Sequence, residues 1–296
     1  MSVADLPTPA PTPAPTPYVV RRPVAAVSPR FLRSELRLML GRRRNQAGLV
    51  VLAAVPVLIS VSVRSSLSRP GEDAPDFFRS ITENGLFVAL AALTIEMGLF
   101  LPLAVAVVAG DSIAGEANIG TLRYLLAVPV TRLRLLLVKL AAITVGAFVA
   151  TFTVAVVGVV MGMVLFGGGS MTLLSGTQIG FGAGLLRVAM AATYLACGLA
   201  ALGAVGLFVS TLTEQPIGAM VATVVLSTTS YILDSIPQVG WLHPYLLTHH
   251  WLDFGDLLRD PIVWNNVVAG LWLAAGYTVV FFLAAWARFT TKDVTS

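Results

Sequence analysis

The stretch that decides the fold runs from Leu140 to Leu186 and reads LAAITVGAFVATFTVAVVGVVMGMVLFGGGSMTLLSGTQIGFGAGLL, without one charged side chain. A helix needs only about 20 apolar residues to cross the hydrocarbon core of a bilayer, which is about 30 Å thick. The stretch is therefore too long for one span, and its breaker cluster Gly167-Gly168-Gly169-Ser170 divides it. It predicts two membrane-spanning helices with a short connection.

Further apolar stretches have the same character, one of them interrupted only by Glu96. Together they predict six spans, at residues 47–63, 85–109, 137–166, 183–209, 216–233 and 263–287. The composition agrees, because the 296 residues are 56% hydrophobic and only 11% charged, whereas soluble domains carry about 25% charged residues. We therefore expect an all-α membrane protein and argue against a soluble enzyme, a disordered chain or a disulfide scaffold.

Lys and Arg residues predict the orientation. Six spans place both termini on one side, and fourteen Lys and Arg residues fall there against four on the other side. Cytoplasmic connections carry the excess of positive charge. The sequence thus predicts that both termini are cytoplasmic.

The chain divides into four predicted regions. Residues 1–28 form a disordered Pro-rich cytoplasmic tail, in which alternating proline favours polyproline II. Residues 29–46 form an amphipathic helix in the inner headgroup plane, with leucines opposite arginines. Residues 47–290 hold the six spans, and residues 291–296 form a cytoplasmic tail.

The external segment Ser235–Trp264 mixes aromatic and acidic residues, which predicts short interfacial or re-entrant helices. It contains His249, His250 and Asp253, residue types that can ligate a metal. A lone HHxxD pattern is a weak metal signal, so we favour an interfacial polar cluster and predict no metal site.

The internal connection Gly110–Arg134 reads GDSIAGEANIGTLRYLLAVPVTRLR. Thr121 can cap a short apolar helix, Leu122–Ala127, which Pro129 ends, and Thr131 can cap the next helix. Such a helix could dock into a groove on a soluble partner or lie on lipid. Both interpretations stay open on the residues alone.

The same connection resembles that of type 2 ABC transporter permeases. The similarity lies in the GDSIAGE run from Gly110, in Gly120-Thr121-Leu122, in Leu125-Leu126, in PVTR from Pro129, and in Lys139. The layout of helices extends it over roughly Phe31 to Phe289. The resemblance implies that this connection is a coupling helix contacting a separate ATPase through Asp111, Glu116, Gly120, Thr121, Leu122, Arg123, Leu125, Pro129 and Arg132.

No phosphate loop occurs in this chain. That loop needs a Lys directly after Gly, and the two lysines, Lys139 and Lys292, follow Val and Thr. We therefore expect a transport subunit, not an enzyme, without a cofactor of its own. The resemblance implies that ATP and Mg are bound by partner ATP-binding subunits, two copies of them. It also implies a second permease, identical or related, with membrane lipid around the assembly and no nucleic acid.

Glu96 lies about eleven residues into the second span, near the middle of the bilayer. It could contact substrate, carry a proton, or be a neutral acid buried in helix packing. Arg187 lies at a membrane edge, where it can extend to water. Three polar residues on the fifth span complete a weak candidate substrate path; they are Thr223, Ser227 and Ser230.

The sequence thus predicts the permease subunit of an ABC exporter in the plasma (inner) membrane of a bacterium. We expect a small amphiphilic substrate, such as a drug, an antibiotic or a lipid. The alternative is a proton-coupled secondary transporter that uses Glu96. An intramembrane enzyme ranks last, because all three histidines lie in the external segment.

Overall fold

The computed structural model describes residues 29–66, 84–120 and 131–291. The predicted Pro-rich tail and the predicted short helix Leu122–Ala127 lie outside these ranges. The described elements are α1 (Pro29–Gly41), α2 (Arg43–Ser66), α3 (Leu86–Met97), α4 (Phe100–Asn118), α5 (Arg132–Phe166), β1 (Met171–Thr172), β2 (Gln178–Ile179), α6 (Phe181–Leu212), α7 (Pro216–Asp234) and α8 (Trp264–Thr291).

Six of these helices are long and apolar enough to cross a membrane, namely α2, α4, α5, α6, α7 and α8. This confirms the predicted all-α membrane protein with six spans. The cytoplasmic placement of the termini and the interfacial position of α1 stay predictions.

The decisive uncharged stretch forms α5, a small hairpin and the beginning of α6. Gly167 ends α5 with φ +81°, and Gly176 turns the hairpin with φ +82°. Glycine takes such angles without the steric cost that a side chain would bring. The strands β1 and β2 pair antiparallel, Met171 opposite Ile179, so the breaker cluster does separate two spans.

The helix α6 forms the centre of the bundle. It packs against α4, α5 and α8, while α4 also packs against α7 and α2 packs against α5. In the most apolar 18 residues of α6, 67% of the residues are buried, whereas in the corresponding part of α8 only 11% are. The outward faces of α2, α7 and α8 are consequently exposed.

A close approach joins α3 to α5. A Cβ atom added at Gly158 would lie 2.6 Å from the Cα atom of Ala89, and one added at Gly162 would collide with the carbonyl of Gly85. Small residues let helix backbones come this near in a membrane. The two contacts show that α3 and α5 run antiparallel.

Where the sequence predicted one continuous second span, the structure has two helices, α3 and α4. A break at Gly98 and Leu99 separates α3 from α4, with Leu99 at φ −154° and ψ −51°. Pro102 lacks the N–H that would bond to the carbonyl of Gly98, which explains a break at this point. The helix α4 then continues to Asn118, through residues that we expected in a loop.

The amphipathic helix predicted over residues 29–46 is shorter in the structure. Helix α1 ends at Gly41, and α2 already begins at Arg43. Two side chains from α2 satisfy carbonyls at the end of α1. The Asn45 amide donates to the Met39 carbonyl at 2.8 Å, and the Gln46 amide donates to that of Leu40 at 3.1 Å. These bonds fix the turn at Arg42 because the last carbonyls of a helix lack helical partners.

The segment that the sequence predicts to be external contains three short 3₁₀ helices, at Pro237–Val239, His243–Tyr245 and Trp251–Leu258. Trp251 and Phe254 are buried against the bundle, whereas Trp241 and Tyr245 are exposed. The Tyr194 hydroxyl of α6 donates to the His250 carbonyl at 2.6 Å. The segment is therefore fastened onto the ends of the spans.

Candidate functional site

Six charged side chains meet where α1, α2, α4 and α5 come together. We call them the ion-pair cluster; they are Glu35, Arg42, Arg44, Asp111, Glu116 and Lys139. Asp111, Glu116 and Lys139 belong to the motif that the sequence singled out. Glu35, Arg42 and Arg44 come from α1, from the turn after it and from α2.

Lys139 and the two carboxylates that it contacts form the buried half of the cluster. The Lys139 side chain is only 4% exposed, and its ammonium donates to Glu35 from α1 and to Glu116 from α4. Burying an ammonium without a partner costs several kcal/mol, so Lys139 depends on these carboxylates. The arrangement links three helices through one side chain.

Asp111 forms the second half of the cluster. Its carboxylate pairs with Arg42 and, at 3.2 Å, with Arg44. Both guanidinium groups are nearly half exposed, while the carboxylate is 12% exposed. This half joins the start of α2 to α4.

Gly115 makes room for Asp111 within α4. A Cβ atom at Gly115 would lie 2.8 Å from the carboxyl carbon of Asp111 and would collide with its oxygen. The glycine of the GDSIAGE run thus lets the Asp111 side chain turn along its own helix. The local sequence is suited to the ion pair that forms there.

Ser210 of α6 is a buried contact that the sequence did not reveal. Its hydroxyl donates to the Gly110 carbonyl at 2.8 Å and accepts from the amides of Ile113 and Ala114, at 3.1 and 2.8 Å. A side chain that inserts among the backbone hydrogen bonds of a helix is one cause of a local bend, and here it also supplies the hydrogen bonds that the backbone groups need. Ser210 therefore contacts α4 at the turn that carries Asp111.

Arg132 fastens the far end of the connection. Thr131 caps α5 by accepting from the Arg134 amide at 3.4 Å, which confirms the predicted cap. The Arg132 guanidinium donates to the carbonyls of Phe289 and Thr290, at 2.8 and 2.9 Å, and lies over the Phe289 ring. A cation at a helix C-terminus satisfies carbonyls there, so α5 and α8 are joined.

The predicted coupling residues divide into two groups. Asp111, Glu116 and Arg132 contact other parts of this chain, and Gly120 ends α4 with φ +75°, an angle that favours glycine. The others lie outside the described residues; they are Thr121, Leu122, Arg123, Leu125 and Pro129. Contact of either group with an ATPase stays a prediction.

The predicted substrate-path residues do not form one described polar path. Arg187 donates to the Leu257 carbonyl at 2.7 Å, and Ser230 hydrogen-bonds to the Thr248 hydroxyl at 2.9 Å. Thr223 and Ser227 donate to carbonyls of their own helix. Each side chain thus has a local structural partner.

Glu96 stands apart from these residues. It is fully buried near the end of α3, and neither carboxyl oxygen has a hydrogen-bond partner among the described residues. An unpaired charge at such a site would cost several kcal/mol. The environment therefore favours a neutral carboxylic acid.

In the external segment, His249 pairs with Asp234 and His250 with Asp253, each at 2.6 Å. The two histidines of the HHxxD pattern thus pair with different carboxylates, Asp234 outside the pattern and Asp253 within it, although their ring centroids lie 4.8 Å apart. Across the described ranges, no group of three or more His, Cys, Asp or Glu residues is arranged to hold a metal ion.

The sequence matches the model of a known protein family. A family model described as ABC-2 family transporter protein matches residues 41–230. No curated protein matched the sequence. The matched region begins just before α2 and ends within α7, and it contains five of the six cluster residues.

Proposed function

The chain belongs to the ABC-2 family of transporter proteins, and from this premise we propose that it is the membrane-spanning permease subunit of an exporter. Such a permease works with a separate ATP-binding subunit. In this proposal the substrate is a small amphiphilic molecule, such as a drug, an antibiotic or a lipid. The protein lies in the plasma membrane with both termini in the cytoplasm.

The ion-pair cluster is the observation that carries the proposal. Glu116 lies four residues before Gly120, the last described residue ahead of the connection, and Arg132 lies just after it. Both are fastened to other helices, Glu116 through Lys139 and Arg132 through the end of α8. A push on residues 121–130 would therefore reach α1, α5 and α8 directly.

Coupling of this kind requires contacts that differ between two states. The cluster offers such contacts, because its partners come from separate elements. We propose that ATP binding and hydrolysis in the partner, with Mg, displace the connection and that the cluster passes this motion to the spans. Two ATP-binding subunits would act on a pair of permeases, this chain with itself or with a related one.

Glu96 supports a second candidate, a proton-coupled secondary transporter. A fully buried carboxyl that has no hydrogen-bond partner among the described residues can carry a proton. This candidate predicts transport driven by a pH gradient without any ATPase. Family membership favours the exporter.

The test is purification of the full chain from native membranes in mild detergent. We expect an ATP-binding subunit to co-purify. Glu116→Ala with Arg123→Ala should abolish ATP-dependent transport, while Arg259→Ala, which breaks an exposed external ion pair with Asp256, should not. Absence of any ATP-binding subunit, together with intact transport in the double variant, would contradict the proposal.

A further inference from the structure

An elongated cavity of about 310 Å³ lies between the α1–α2 turn and the helices α4 and α5. Its lining is apolar along nearly its whole length, with Leu49, Leu52, Val105 and Ala147 as typical members. Arg44 and Asn45 are its polar lining residues, and they lie together at one end. The cavity is separate from the weak substrate path that the sequence predicted.

The cavity opens sideways, toward the lipid-facing surface. Lining residues Leu40, Val51, Phe100 and Leu103 remain exposed. Along α2 the lining extends from Arg44 to Leu52, which is about 12 Å at the helical rise per residue. One leaflet of the hydrocarbon core is about 15 Å deep, so the cavity matches one leaflet in depth.

Two glycines create much of the space. A Cβ atom at Gly48 on α2 would meet no other atom within 4 Å. At Gly146 on α5 the nearest atoms would belong to the Met39 thioether, at 3.4 Å. A larger residue at either position would project into the volume.

The polar end is positively charged. Arg42 and Arg44 share the carboxylate of Asp111, while Glu35 and Glu116 share Lys139, so the six cluster residues are neutral together. The net positive charge beside the cavity comes from Arg43, an exposed cation next to Arg44 in the chain. Neither Glu35 nor Glu116 lines this cavity. A guanidinium group is well suited to bind phosphate.

We propose that this cavity binds an anionic phospholipid, with one acyl chain along α2 and the phosphate on Arg44. The apolar length fits the chain, and the net positive charge at its mouth fits the headgroup. The bound phosphate would compete with the Asp111 carboxylate for Arg44, so lipid binding would change the pairing within the ion-pair cluster. This inference does not depend on the proposed transport function.

The experiment is native mass spectrometry of the full-length protein, titrated with phosphatidylglycerol or with phosphatidylcholine of the same acyl chains. We expect one phosphatidylglycerol per chain, bound at least about tenfold more tightly than phosphatidylcholine. Equal affinity for the two lipids would overturn the proposal, and this arm needs no variant.

Two variants locate the site. Gly48→Leu should weaken phosphatidylglycerol binding at least about tenfold, whereas Gly276→Leu, a matched change on α8 where a Cβ atom also meets nothing, should leave it unchanged. Arg44→Gln should remove the preference for phosphatidylglycerol over phosphatidylcholine. If Gly48→Leu binds as Gly276→Leu does, the cavity is not the lipid site.

Folding of each variant is checked by size-exclusion chromatography and thermal melting. Should Gly48→Leu fail to fold, Gly146→Val fills the same cavity from α5 and is expected to weaken binding in the same way. Wild-type affinity in Gly146→Val would then contradict the proposal.

Discussion

Lys139 and Glu96 are both ionisable side chains removed from solvent, but their surroundings are opposite. Lys139 lies between two carboxylates from different helices, while neither carboxyl oxygen of Glu96 has a described partner. A buried charge is retained when it is paired, and an unpaired group is better buried as the neutral form. The comparison places Lys139 in a network between helices and favours the neutral form of Glu96.

The largest expected effect is at Lys139, the paired residue of the two. Lys139→Met would remove the ammonium that Glu35 and Glu116 share. We expect a loss of about 3–5 kcal/mol in the free energy of unfolding, since one partner of a buried ion pair is removed. Denaturant unfolding of the purified protein measures it.

The control for this variant is Arg259→Ala, which removes an ion pair whose Arg side chain is 52% exposed and should cost less than about 1 kcal/mol. Adding Glu35→Gln and Glu116→Gln to Lys139→Met should recover part of the loss. If Lys139→Met costs no more than Arg259→Ala, the ion-pair cluster does not hold the helices together.

An intermediate effect is expected at Ser210, which extends the comparison to an uncharged polar group. Ser210→Ala removes the hydroxyl that contacts Gly110, Ile113 and Ala114. We expect a loss of about 1–3 kcal/mol, because buried polar groups of α4 lose a hydrogen-bond partner. Hydrogen exchange should show faster exchange at residues 113 and 114.

Ser227→Ala serves as the control for Ser210, because the Ser227 hydroxyl bonds only within its own helix. It should change exchange in α4 very little. Equal exchange at residues 113 and 114 in wild type and in Ser210→Ala would show that Ser210 is not a structural contact of α4.

The smallest effect is expected at Glu96. Glu96→Gln should change the free energy of unfolding by less than about 1 kcal/mol, because an amide and a neutral acid have similar size and need no counter-charge. Stabilisation by several kcal/mol would show that the wild-type carboxyl is charged. Loss of transport driven by a pH gradient would support the secondary transporter.

The spans could be predicted from sequence because a long run of uncharged residues is a local property of the chain. The uncharged stretch from residue 140 yields α5 and α6 with a break at its glycines. The break in the second span had a local signal as well, in Gly98 and Pro102, but neither excluded one continuous helix. Residues 110–118 stay helical because their charged side chains, Asp111 and Glu116, form ion pairs with residues that are distant in the chain.

The composition of the ion-pair cluster could not be predicted in full. Asp111, Glu116 and Lys139 were singled out through a family resemblance, but their partners Glu35 and Arg42 lie about seventy or more residues away in the chain. Glu35 gave a faint signal as the single acid within the basic segment 29–46. Ser210 gave none, since serine in a span is common in helix packing.

The most direct test of coupling through the ion-pair cluster is ATP hydrolysis by the complete complex in nanodiscs. We compare wild type with Glu116→Gln and Glu96→Gln, each confirmed to be folded and to retain its ATP-binding subunit. We expect Glu116→Gln to lower permease-dependent hydrolysis about tenfold, a coupling loss of about 1.4 kcal/mol, and Glu96→Gln to leave it within about twofold. Unchanged hydrolysis in Glu116→Gln, with a loss in Glu96→Gln, would contradict the account.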